Sequence, residues 1–443
     1  MKIVIIGGEA AGMSAAAKAR RMIKEAEVIV YEASDIISFG ACGLPYFVGD
    51  EFQDPDYMAE FTPEQFATRG VQVNINHKVT AVNPKTNTIE VEHDGQHSVV
   101  EYDRLMIATG AKEVRPPIPG LELNGVFGLR RMQDGLDLKV AANKDDCKRV
   151  VVIGSGFIGL EVAEALLHQG KEVRLFERAE RVIPDAFDAE FSQHIDAELR
   201  AKGVTLHLSE SVNAIVGQNG KVVAVKTAAE EYQADLVVVC TGVKPNTDFV
   251  KDIGLAMLPN GAIRVDRHGR TSIDDIYSAG DCATVWHSLK QTDVYIPLAT
   301  IANKLGRVVG ENLAGVESAF PGTLGAAAVK VLDLEAGRVG LTENEAKSLG
   351  LNYRTVLIKD KNHTNYCSGQ ADIHIKLVYD AESKVILGGQ ILGQSGAVHR
   401  LHALSVAITT GLTTEQLGLL DFAYAPPFAR TWDVLNVAGN VAK

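Results

Sequence analysis

The chain has 443 residues, 46% of them hydrophobic, and a formal net charge of −12, which suits about three globular domains with substantial cores. Lysine and arginine form no long run, so the basic surface a nucleic-acid binder needs is missing, and no apolar stretch approaches the roughly 18 residues of a membrane helix. The opening MKIVIIGG is too short for a signal-peptide core and reads as the first strand of a cytoplasmic protein. The five cysteines are scattered and form no CxxC pair, so neither a zinc site nor a disulfide framework is indicated, and a reducing compartment fits.

The stretch "KIVIIGGEAAGMSAAAKARR" predicts a buried parallel strand over Ile3–Ile6, a glycine turn and an Ala-rich helix, and Glu32 closes the next strand in "VIVYE". This βαβ layout binds a dinucleotide. The helix N-terminus takes pyrophosphate on its unpaired N–H groups, and the carboxylate takes the ribose hydroxyls. Gly7 and Gly12 fill the outer glycine positions, while Glu9 stands where the middle glycine belongs. Next comes "SFGACGLPY", with Cys42 among small residues where backbone approaches a ligand. The apolar strand in "LMIATGA" ends at Thr109 and Gly110.

"RVVVIGSGFIGLEVAEALLHQGKEVRLFER" repeats the theme with the full set: Gly154, Gly156 and Gly159 follow a strand over Val150–Ile153, and Glu177 ends the next one. Glu177 favours NADH because a carboxylate repels a 2′-phosphate, whereas Arg178 beside it would pair with the phosphate of NADPH, so both nicotinamides stay open. "LVVVCTGVKPN" closes this second unit at Gly242. In "TSIDDIYSAGDCA", Gly280 and Asp281 follow a strand; the aspartate would hold flavin ribitol hydroxyls, with the following helix aimed at the flavin, or would cap that helix. Two such units imply two dinucleotides, and passing electrons from NADH or NADPH to FAD is the usual reason for having both.

Near the end, "HRLHALSVAITTGLTTEQL" predicts a helix, a glycine stop and a second helix capped by Thr413 or Thr414. His363, His374, His399 and His402 lack metal-ligand spacing, so no metal is expected. Cys240 reads as strand core, Cys147 as a surface loop residue, and Cys282, beside Asp281, as a neighbour of the flavin.

With its flavin fingerprint, cysteine segment, ATG, second fingerprint, GD motif and long C-terminal region in that order, the chain resembles the pyridine nucleotide–disulfide oxidoreductases nearly end to end. The resemblance implies an α/β fold with two Rossmann-like dinucleotide-binding domains plus a C-terminal α+β dimerisation domain. It places the FAD domain at 1–112 and 243–322, the NAD(P)H domain at 113–242 and the dimerisation domain at 323–443. It also implies a homodimer in which each last domain completes the partner's active site. No second cysteine lies near Cys42, so the chain is similar to the single-cysteine branch of coenzyme A disulfide reductases, NADH oxidases and NADH peroxidases, whose active-site segment "SFGACGLPY" matches closely.

In that branch Cys42 would be the redox centre, resting as a mixed disulfide with a small thiol or as a sulfenic acid. Ala10 stands where oxidase and peroxidase members carry a histidine, which turns the expectation toward a disulfide substrate. Tyr366 in "NHTNYCSG" and Tyr424 in "DFAYAPPFA" match tyrosines that reach the partner's cysteine in the coenzyme A enzymes and can protonate the leaving thiolate. Ser14, Lys18, Arg21 and Ser38 would line the coenzyme A channel, with Trp432 stacking on adenine. The expected activity is reduction of coenzyme A disulfide, or a related small-molecule disulfide, by NAD(P)H, with CoA as the bound thiol. Alternatives are an NADH oxidase or peroxidase using a Cys42 sulfenic acid, and a redox-sensing dimer.

Overall fold

A computed structural model describes all residues, Met1–Lys443. The chain divides into two units: Met1–Leu44, Phe52–Val114 and Gly242–Thr323 form the first, and Pro45–Glu51, Arg115–Thr241 and Leu324–Lys443 form the second.

In the first unit a five-stranded parallel sheet runs in the order Ile276–Ser278, Arg104–Ile107, Lys2–Ile6, Glu27–Tyr31, Val71–Asn74. The strands at its middle are continuous runs of Val, Ile and Leu because helices and loops cover both faces, as parallel sheets require. The Ala10–Met22 helix packs on the Ala299–Leu313 helix, and small residues set that approach. A Cβ on Gly306 would lie 2.5 Å from the Ala11 carbonyl oxygen, and one on Gly310 would lie 2.6 Å from that of Ala15. A three-stranded antiparallel sheet, Lys78–Asn83, Thr88–His93 and Gln96–Glu101, is attached to this unit.

In the second unit the same construction recurs, with a parallel sheet in the order Thr205–Leu208, Glu172–Glu177, Arg149–Ile153, Leu236–Val239, Val126–Phe127. The C-terminal part is an antiparallel sheet of five strands, ordered Ala327–Val331, Leu334–Gly340, Ile386–Gly393, Asp372–Asp380, Tyr353–Lys361. The Leu401–Thr409 helix lies on it, fitting Leu401 over Gly337 and Leu404 over Gly389. That helix ends before Gly411, and the next, Thr414–Gly418, starts with a capping box between Thr413 and Gln416. No helix is long and apolar enough to cross a membrane.

Candidate active site

Two turns built alike follow the central strands of the two parallel sheets. In the first, Gly7 has φ +109°, and a Cβ there would lie 2.2 Å from the Ala108 carbonyl oxygen; a Cβ on Gly12 would lie 1.9 Å from the Gly7 carbonyl oxygen. In the second, a Cβ on Gly154 (φ +100°) would lie 2.5 Å from the Cys240 carbonyl oxygen, and one on Gly159 would lie 2.0 Å from the Gly154 carbonyl oxygen. Gly156 differs, since a Cβ there would meet nothing within 4 Å, so its place is open for a ligand. Both helices begin without a side-chain cap, at Glu9 and at Gly156, which leaves their first N–H groups to an anion. Glu9 thus does not turn its carboxylate back to cap the helix.

The two strand-end carboxylates are fixed in matching ways. Glu32 accepts from the Gly8 N–H at 2.7 Å and from the N–H and hydroxyl of Ser34, each at 2.8 Å. Glu177 accepts from the N–H and hydroxyl of Ser155 at 3.0 and 2.7 Å, and from the Ala179 N–H at 2.9 Å. Thr109 donates to the Asn246 carbonyl at 2.7 Å, which ties the ATG strand end to the chain after Gly242. Gly110, Gly242 and Gly280 all take positive φ, and Gly280 packs on Ala11 beside the first turn.

Two sequence expectations are corrected here, those for Asp281 and Cys147. Asp281 caps no helix: a turn follows it, and the next helix begins only at Ala299, after the Val285–His287 and Thr292–Val294 hairpin. Cys282 turns its thiol into the core, 3.4 Å from the Ile107 carbonyl oxygen, and burial pushes its pKa up. Cys147 is buried rather than on a surface loop, its carbonyl accepting from Lys171 Nζ at 2.8 Å, and burial raises its pKa as well.

Cys42 lies on the short 3₁₀ turn Ala41–Gly43; it is exposed and in no disulfide. Its segment is tied to the first glycine turn: the Ser38 N–H donates to the Gly8 carbonyl at 2.8 Å, and the Gly40 N–H to the Met58 carbonyl at 2.7 Å. Ser38 has φ +51°, a left-handed conformation that a serine holds only where its surroundings insist. Gly43 is small for a reason internal to the protein. A Cβ there would lie 2.9 Å from Cγ of Met58.

The remaining candidates lie as follows. Tyr366 and Tyr424, both exposed, meet hydroxyl to hydroxyl at 3.3 Å, and that bond holds the Tyr424 pKa above its usual value. Trp432 is exposed in the same C-terminal region. Ser14 donates to Asn303 Oδ1 at 2.8 Å. Lys18 and Arg21 do not present a joint cationic pair: Lys18 is mostly covered and bound to Glu311 at 2.8 Å, while Arg21 is exposed. His399 and His402 are exposed with ring centroids 6.0 Å apart.

A model of the pyridine nucleotide-disulphide oxidoreductase family matches residues 1–306, and one of that family's dimerisation domain matches 326–434. The chain belongs to the pyridine nucleotide-disulphide oxidoreductase family. It is similar to a NAD(P)H coenzyme A polysulfide/persulfide reductase of Pyrococcus horikoshii (40% identity over 100% of this chain and 98% of that one). It is also similar to an NADH oxidase of Enterococcus faecalis (35%; 100% and 99%) and a coenzyme A disulfide reductase of Staphylococcus aureus (32%; 100% of each). Among solved structures, a NAD-dependent persulfide reductase from A. fulgidus superposes with a TM-score of 0.96 at 37% identity, over 100% of this chain and 83% of that one. The protein is therefore an FAD-dependent NAD(P)H oxidoreductase of the coenzyme A disulfide reductase-like group.

Both glycine turns suit the dinucleotides this family uses, since each begins a helix whose first turn has no side-chain cap and each sets a fixed carboxylate for a ribose; the second adds the open place at Gly156. Sequence reasoning passed over two residues near these turns, Glu161 and Ser155. Glu161, on the Phe157–His168 helix, accepts from the Tyr46 hydroxyl at 3.2 Å, and burial pushes its carboxyl up to about 7. A carboxylate inside the apolar run "FIGLEVAEALL" was the available signal for it. Nothing in the sequence singled out Ser155, because the variable positions of a glycine motif carry no pattern.

Proposed function

We propose that this protein uses NAD(P)H to reduce the S–S bond of a coenzyme A disulfide or persulfide, through FAD and the single redox cysteine Cys42. The observation that carries the reading is Cys42 itself: an exposed thiol outside any disulfide, four residues after Ser38, whose N–H bonds the first glycine turn, where Ala10 offers no general acid for O–O cleavage. Relatives at 40% and 32% identity, both named for coenzyme A-linked sulfur chemistry, support it.

Bound at the first turn by Gly7, Gly12 and Glu32, FAD would supply a two-electron relay from the nicotinamide held by Gly154, Gly156, Gly159 and Glu177. The Cys42 thiolate attacks one sulfur of the substrate. The substrate S–S bond breaks, a Cys42–coenzyme A disulfide forms, and the other sulfur leaves as a thiolate or hydrosulfide. Two electrons then cleave the mixed disulfide, returning the Cys42 thiolate and releasing coenzyme A. For CoA disulfide the sum is one NAD(P)H and one proton consumed per two thiols formed. The Tyr424 hydroxyl, whose bond with the Tyr366 hydroxyl raises its pKa, is the proton donor to the leaving thiolate in the homodimer that the dimerisation domain suggests.

A second reading, an NADH oxidase working through a Cys42 sulfenic acid, draws on the relative at 35% identity. One experiment separates them. Intact mass is measured on unreduced, denatured protein, then NADH consumption is compared with coenzyme A disulfide, coenzyme A persulfide, oxygen and peroxide. An adduct of one coenzyme A removed by dithiothreitol, with turnover fastest on the coenzyme A substrates, is expected. A bare or oxygenated mass with turnover on oxygen or peroxide alone would overturn the reading in favour of the second.

A further inference from the structure

We infer that Ser155 sets the choice between NADH and NADPH, by holding both Glu177 and the loop that carries Arg178. The inference rests on the second glycine turn being the nicotinamide dinucleotide site. Ser155 is fully buried, so its hydroxyl has no water to turn to. Its proton goes to Glu177 Oε2 at 2.7 Å, and its oxygen accepts from the Ile183 N–H at 3.2 Å. The Ser155 N–H adds a second bond to the same carboxylate oxygen at 3.0 Å, and the Ala179 N–H holds the other at 2.9 Å.

Ile183 is strained. It has φ +46° although it is β-branched and precedes Pro184, two features that push a residue away from the left-handed region. Such a conformation survives only where neighbours over-determine it, and it gathers at ligand clamps. Here one buried hydroxyl ties the strained end of the 178–183 loop to the ribose-binding acid. The flavin turn is built differently. At the position matching Ser155 stands Gly8, which gives Glu32 only its N–H, and the hydroxyl contact comes from Ser34 on the following loop.

The consequence concerns the 2′ position of the adenosine ribose. A carboxylate held by three donors cannot swing aside for a 2′-phosphate, so it repels one where it stands. Arg178, exposed on the same loop, is a phosphate partner only once the acid moves. Without the Ser155 hydroxyl, Glu177 loses its shortest bond and the loop loses its anchor at Ile183.

ADP-ribose and 2′-phospho-ADP-ribose, redox-inert halves of the two cofactors, test this by titration calorimetry on the FAD-loaded enzyme. The wild type is expected to favour ADP-ribose. Ser155→Ala and Ser155→Gly, the latter copying Gly8, are expected to shrink that preference by about tenfold, the size of a lost hydrogen bond to a charged group. Adding Arg178→Ala to either should restore the preference. Melting curves establish which variants are folded. If folded variants of both kinds keep the wild-type preference, Ser155 is a structural residue and the inference fails. If the wild type binds neither probe, the assignment of the second turn fails and takes this inference with it.

Discussion

The Tyr46 hydroxyl lies 3.2 Å from Oε1 of Glu161, four residues along the chain from the exposed Cys42 thiol. Burial is the main cause of the high Glu161 pKa of about 7; Glu164 adds to it, and the Tyr46 bond works the other way. A raised carboxyl pKa means the folded protein holds this proton longer than the unfolded chain does. The stabilisation is full below the unfolded value, here the ordinary 4.5, and is lost as pH rises through about 7. Glu161→Gln should therefore flatten the pH dependence of the urea midpoint between those limits. Tyr46→Phe, which removes a donor to the carboxylate, should move the upper limit higher. Parallel pH curves for wild type and Glu161→Gln would show that the carboxyl is ionised like any exposed one.

A buried lysine holds two parts of the second unit together. Lys376, on the Asp372–Asp380 strand, is 2% exposed and reaches Glu190 at 2.8 Å, Asp188 at 3.2 Å and Glu343 at 2.5 Å. Gln390 donates to Asp188 as well, at 2.6 Å. Lys376→Met leaves a cluster of acids with no cation among them and should cost about 3–5 kcal/mol, read as a lower urea midpoint, because breaking a buried pair strands its partners. Glu190→Gln should cost far less, since Glu190 is partly exposed and the other acids remain. Equal losses in the two variants would contradict this.

These two contacts show where sequence reasoning stops. Both parallel sheets and both glycine turns were legible, because a residue such as Gly12, wedged on the Gly7 carbonyl, must be glycine at a fixed distance from the strand before it. A cap at Thr413 or Thr414 was legible because a capping box spans only three residues, and the structure puts it at Thr413. Lys376 was not, because on an alternating strand a lysine reads as solvent-facing, and its acids lie up to 188 residues away. Lys18, expected to line the coenzyme A channel, is bound instead to Glu311, a partner too far along the chain for the sequence to reveal. The Cys42 segment was visible as a motif, yet Gly43 owes its size to Met58, which only the folded chain brings to it.

The two glycines of the second turn should respond differently to the same change. Gly159→Ala puts a methyl 2.0 Å from the Gly154 carbonyl oxygen, so the Phe157–His168 helix must move off its strand, at a cost of roughly 3 kcal/mol or more in stability. Gly156→Ala meets no protein atom and should melt within about 1 kcal/mol of wild type. Its methyl should instead occupy the dinucleotide's place, weakening NAD(P)H binding about tenfold or more. Melting curves and NADH titration together check this. A Gly156→Ala enzyme with unchanged affinity would show that the nucleotide does not approach the turn there.

Cys42→Ser is the sharpest test of the proposed chemistry, because it removes the sulfur and leaves its setting. The Ser38 and Gly40 bonds that hold the segment come from the backbone, so the variant should fold and keep FAD. Rapid mixing with NADH should still bleach the flavin absorbance, since that step does not use the thiol. Reduction of coenzyme A disulfide or persulfide should fall by at least about 10³, because a serine hydroxyl at neutral pH neither attacks sulfur nor forms a disulfide. The adduct mass of one coenzyme A should disappear with it. If the serine enzyme kept that turnover, electrons would be leaving the flavin by another route, and Cys367 beside Tyr366 would be the next thiol to replace.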